Sequence, residues 1–108
     1  MEKSDNAQVA EEAVVKVDAG LSDLIPGFLE NRRRDVRTIE AALTLGDYQA
    51  IKHVAHQMKG AGGGYGFDAI SEIGSALEQA AVRKDGAGVG RLTAELAAYL
   101  KNVRVSYV

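Results

Sequence analysis

An all-α domain, an antiparallel up-down bundle of four helices, is the fold this sequence predicts. The composition is one reason: alanine, leucine and glutamate are common, aromatics make up 6%, and proline occurs once, at Pro26. Such a mix favours helix. A second reason is that four stretches repeat apolar residues at the three-and-four spacing of one helical face. The third is that the connections between them are short, which makes sequential helices antiparallel neighbours. A chain of 108 residues suffices for one domain with one modest core.

Residues 1–18 read as a flexible N-terminal segment and 19–108 as the bundle domain. Residues 1–13 carry no apolar stripe. Val14-Val15-Lys16-Val17 is a short β-branched run, and Val103-Arg104-Val105-Ser106-Tyr107-Val108 alternates apolar and polar residues, the period of a strand. An even number of antiparallel helices brings both chain ends to one end of the molecule. The two runs can then pair as a small two-stranded ribbon; the other reading makes both of them ragged helix ends or tails.

The first helix is expected from about Pro26 to Leu45, after a turn at Leu21 to Ile25, since proline suits the first helical position. Its inner stripe is Leu29, Val36, Ile39 and Leu43, joined by Ile25 and Phe28. Gly46 stops it and Asp47 caps the second helix. The third runs from about Asp68 to Arg83, with Ile70, Ile73, Leu77, Ala80 and Ala81 inward. Asp85-Gly86 is a turn signal. The fourth runs from about Ala87 to Asn102 and turns Val89, Leu92, Leu96, Tyr99 and Leu100 inward.

Several function classes drop out. A net charge of −2 gives no reason to expect nucleic-acid or membrane binding. The absence of cysteine removes disulfides, thiolate nucleophiles and thiolate-ligated metals. No apolar run approaches the roughly 18 residues of a membrane span. The polar, acidic start MEKSDNAQVAEEA is no signal peptide, so the expected compartment is the cytoplasm. The initiating methionine and polar start favour a free-standing protein.

The second helix raises the functional question. HQMKGAGGGYG, residues 56–66, holds five glycines in eleven residues, yet continues the apolar helical pattern. With Ile51 at zero on a helical wheel, Tyr48, Val54, Ala55, Met58, Gly62 and Tyr65 fall within about 60° of it. His56 falls at about 140°, Gly63 at about 120° and Gly60 at about 180°, with Lys59 and Lys52 on the flank. His56 is therefore outward, and Gly60 is its neighbour one turn on. Each interior glycine costs a helix about 1 kcal/mol against alanine. Close packing accounts for an inward Gly62. Outward Gly60 and Gly63 instead leave a bare surface on which another backbone can approach the imidazole. A surface histidine beside a glycine-rich loop is the plainer alternative.

His56-Gln57-Met58-Lys59-Gly60-Ala61, with Gly66 ten residues after the histidine, resembles the signature of histidine-containing phosphotransfer (HPt) domains. An apolar helix ending in Leu77-Glu78 follows, as in that family, and the resemblance spans roughly residues 19–102. The glycines at 62, 63 and 64 depart from the family pattern, where small or polar residues are usual. The resemblance implies a phosphorelay intermediate. His56 accepts a phosphoryl group from a receiver-domain aspartyl phosphate and passes it to another receiver. It further implies that Lys59 and Lys52 screen the phosphoryl charge, and that Gln57, Gly60, Gly63 and Gln49 form the docking surface. The expected partners are receiver domains, including that of a hybrid sensor kinase. The expected domain is a monomeric carrier, not an enzyme, with no metal or cofactor of its own.

Other readings fit parts of the same stretch. His53 is the rival acceptor, but it lacks Lys at i+3 and Gly at i+4. His53 and His56 have metal-ligand spacing, with no third ligand supplied by the sequence. A sensor-kinase dimerisation helix would place an acidic residue after the histidine and a proline soon after, which Gln57 and Ala61-Gly62 do not match. A P-loop would place its lysine after the glycines. A receiver-binding module that carries no phosphate is the alternative from a different class. The basic cluster Arg32, Arg33, Arg34 and Arg37 reads either as a solvated face balanced by Glu30, Asp35 and Glu40, or as a steering patch toward an acidic partner.

Overall fold

The computed structural model describes residues 14–108. Strand β1 spans Val14–Val17, and a 3₁₀ turn at Ala19–Leu21 leads into four helices. These are α1 Ile25–Thr44, α2 Tyr48–Tyr65, α3 Asp68–Val82 and α4 Gly86–Asn102, followed by strand β2, Arg104–Tyr107. The helices lie within one or two residues of the predicted bounds. Residues 60–64 are helical, not a loop.

The core is the set of inward stripes brought together. Ile25, Phe28, Val36 and Ile39 of α1 meet Ile51, Ala55 and Met58 of α2, Ile70, Ile73 and Leu77 of α3, and Val89, Leu96 and Leu100 of α4. Leu29, Leu43, Leu92 and Tyr99 are only half-buried and pack against this core from its edge. Residues not expected inside complete it, Thr93 and Phe67 among them. Thr93 is buried and hides its hydroxyl by donating to the Val89 carbonyl at 2.6 Å, the usual solution for threonine inside a helix. Phe67, in the link between α2 and α3, is fully buried and stacks on Phe28 at 5.0 Å between ring centroids.

The helix ends follow from local chemistry. The Asp47 carboxylate accepts the Ala50 amide at 3.1 Å and starts α2. Gly66, at φ 84°, ends it in the left-handed conformation that glycine takes without strain. The Asp85-Gly86 turn is corrected: Asp85 caps α4 by accepting from the Gly88 amide at 2.9 Å, and Gly86 is already helical. The left-handed residue of that connection is Lys84, at φ 56°.

The chain ends do form a two-stranded ribbon, and its strands are parallel, Val14 pairing with Arg104 and Val17 with Tyr107. Val17 is buried in the core. The last residues of the 1–18 segment, expected to be flexible, are therefore part of the fold; residues 1–13 lie outside the described residues. On α1, Arg32 pairs with Asp35 at 2.8 Å, and Arg33 and Arg37 reach Glu30 at 3.2 and 3.9 Å. Burial pushes the Asp35 carboxyl above its ordinary range, against the pull of Arg32. Three of the four arginines are thus balanced locally, but Arg32 is largely buried over the Phe28 ring and does not belong to a solvated face.

Candidate functional site

The site is built on the middle of α2. Ile51, Ala55, Met58 and Gly62 are buried, which anchors one face of the helix and turns the opposite one to solvent. His56 stands on that outer side, its side chain 72% exposed. Lys52, His53, Gln57, Lys59, Gly60 and Gly63 are exposed around it, as is Gln49 two turns back. The exposure of His53, His56, Gly60 and Gly63 agrees with their outward positions on the wheel.

Gly60 and Gly63 differ in surroundings. A Cβ on Gly60 would meet nothing within 4 Å, whereas one on Gly63 would lie 3.9 Å from the Ser71 hydroxyl. Gly60 is therefore open space, and Gly63 borders α3. Gly62 is the reverse of both: a Cβ there would lie 2.8 Å from the Ser71 amide nitrogen and 3.1 Å from the Phe67 carbonyl oxygen. No side chain fits at that position without moving backbone, so close packing of α2 on α3 accounts for Gly62. Beyond it, Tyr65 and Phe67 both pack on Phe28, which fixes the end of the glycine-rich turns.

A shallow groove between α2 and α3 joins Gln49, Lys52, His53, His56 and Glu78. Inside it Nδ1 of His56 lies 3.2 Å from Oε2 of Glu78. An ionised carboxylate only accepts hydrogen bonds, so Nδ1 carries the proton and donates. In the neutral ring that arrangement leaves the lone pair on Nε2, on the far edge of an exposed ring. A neutral ring so held presents its lone pair toward solvent, with a carboxylate behind it. Lys52 and Lys59 are the cations on the same side of α2. Among the described residues no three of His, Asp and Glu gather as a metal-ligand set. No described helix is long and apolar enough to cross a membrane.

Glu78 is the groove residue to which sequence reasoning gave no role. It was legible only as the end of a family pattern, because the contact joins residues 22 positions apart.

No curated protein and no solved structure matches the chain. The family model of the Hpt domain does match, over residues 23–105, from just ahead of α1 into β2. The match covers most of the chain, and the fold is the helical bundle of that family. The chain therefore belongs to the Hpt family, the phosphotransfer domains of two-component signalling, whose members work with receiver domains and kinases.

Proposed function

We propose that this domain is a phosphorelay intermediate. It takes a phosphoryl group onto Nε2 of His56 from the aspartyl phosphate of one receiver domain, such as that of a hybrid kinase, and delivers it to another. The observation that carries the reading is the His56–Glu78 pair on an exposed helix face, with open space at Gly60 one turn away.

The chemistry follows from that arrangement. The Nε2 lone pair attacks phosphorus, a nitrogen–phosphorus bond forms, and the bond to the aspartyl oxygen breaks. The receiver's carboxylate leaves with the electron pair. The imidazole, protonated at Nδ1 throughout, becomes cationic as it reacts, and the Glu78 carboxylate sits against the proton to stabilise that charge. Lys52 and Lys59 balance the phosphoryl oxygens. Onward transfer runs the same steps backwards to a second aspartate. The domain carries the group and needs no cofactor, and the receiver supplies the remaining catalytic groups. Gln49, Gln57, Gly60 and Gly63 ring the histidine and make the docking surface. With no cysteine and a net charge of −2, the domain suits the cytoplasm, acting as a monomer.

The test is labelling by a phosphorylated receiver. His56→Gln should lose all acid-labile phosphate and keep its fold, because the side chain is exposed. His53→Gln should keep most of the label. Loss of label in His53→Gln alone would move the acceptor to His53. A wild-type domain that binds receivers but never takes label would establish the binding-module alternative instead.

A further inference from the structure

Two glycines bring α2 and α3 together backbone to backbone, and one of them lies directly behind His56. A Cβ on Gly74 would sit 2.9 Å from the Lys59 amide nitrogen and 3.1 Å from both the Ala55 carbonyl oxygen and the Lys59 Cα. These are backbone atoms of the turn that carries His56. Carbon atoms in contact settle at about 3.5–4.0 Å, so α3 approaches this turn more closely than any residue with a side chain would allow.

The neighbours of Gly74 on the same face of α3 complete the contact. Three residues back, the Ser71 hydroxyl donates to the Lys59 carbonyl at 3.0 Å. Four residues on, Glu78 receives Nδ1–H of His56 at 3.2 Å. Positions three and four apart share one side of a helix. Ser71, Gly74 and Glu78 therefore form one seam against the acceptor's turn. The seam holds a hydrogen bond to its backbone, a bare approach, and a hydrogen bond to its ring. The last of these already lies at the long end of the hydrogen-bond range.

We propose that Gly74 is a positioning residue for His56. By letting α3 close on the Ala55–Lys59 turn, it brings Glu78 within reach of Nδ1 and so fixes the tautomer that leaves Nε2 free. The proposal rests on the reading of His56 as the acceptor. The three atoms nearest a methyl group at position 74 are all backbone. Backbone cannot swing aside as a side chain can, so the helices must part at this level. A small retreat carries a bond of 3.2 Å out of range.

The experiment is a double-mutant cycle on the full chain, with two readouts. Heteronuclear NMR of the imidazole nitrogens reports the His56 tautomer in the unphosphorylated protein, with no partner present. Stopped-time labelling by a receiver domain charged with acetyl phosphate reports the transfer rate. Wild type should be protonated at Nδ1, whereas Gly74→Ala and Glu78→Ala should both shift toward protonation at Nε2. Gly74→Ala should transfer about tenfold more slowly, and adding it to Glu78→Ala should cost nothing more. Glu78→Asp shortens the reach by one methylene and leaves the helix contact untouched. It should reproduce both effects, and it stands in should Gly74→Ala fail to fold. A wild-type tautomer in Gly74→Ala overturns the proposal. So does a cycle whose losses multiply, or a Glu78→Asp variant that matches wild type in both readouts. If the wild-type domain takes no phosphate, the acceptor reading fails, and the tautomer measurements still decide the role of Gly74.

Discussion

At Gly60 the helix surface beside the histidine is bare because it faces solvent, and at Gly62, two residues on, a side chain is missing for the opposite reason. The first faces open space; the second faces the backbone of α3. Substitution should separate them. Gly60→Gln should preserve or raise the melting temperature, since an exposed helical glycine costs up to about 1 kcal/mol. It should also slow phosphoryl transfer at least about tenfold, because the added side chain stands where a receiver must approach. Gly62→Gln should destabilise the bundle by about 1–3 kcal/mol or more through overpacking. Thermal melts and transfer rates on both variants check this; a wild-type rate in Gly60→Gln removes the access explanation. The two facings were legible in the sequence, because a wheel needs only the position of Ile51 and the helical period. Gly74, Ser71 and Glu78 were not. Each acts on α2 across the gap between helices, and periodicity says which face a residue occupies without saying what it meets there.

Among the elements, helix existence and helix stops could be read almost residue by residue. Asp47, Gly46 and Gly66 are caps and stops whose chemistry is local, and each acts as its residue type suggests. The connection from α3 to α4 misled because two signals competed. Asp85-Gly86 is a common turn pair, but aspartate is also a strong cap, and here capping won. The positive φ then fell on Lys84, where a side chain costs roughly 1 kcal/mol or more. Lys84→Gly should therefore stabilise the domain by up to about 1 kcal/mol, after allowing for glycine's greater freedom in the unfolded chain. Urea denaturation should show a higher midpoint with an unchanged slope. A lower midpoint would mean that Lys84 has a compensating contact in the folded state.

For the molecule as a whole, the ribbon is the feature that joins beginning to end. Val17 is its link to the core, at 2% exposure. Val17→Ala should cost about 2 kcal/mol and leave the transfer rate unchanged, since β1 borders Gly66 and Asp68 rather than the turn of His56. A matched drop in rate and stability would show instead that the ribbon supports the site. The pairing itself could be proposed from alternation in the last six residues, but not its direction, which depends on how the 3₁₀ turn at Ala19–Leu21 redirects the chain into α1. That direction has a mechanical consequence. Val14 and Arg104 lie at one end of the ribbon, Val17 and Tyr107 at the other. Beyond the ladder, Val108 accepts from the Ala19 amide and donates to the Val17 carbonyl, both at 2.9 Å. Tension applied between the two ends of the described chain pulls these strands along their length in opposite senses. The cross-strand bonds are then loaded together, in shear, instead of parting one at a time as in a zipper. A tug on the chain is borne by the ribbon before it reaches the helices, and the face that bears His56 is spared the strain.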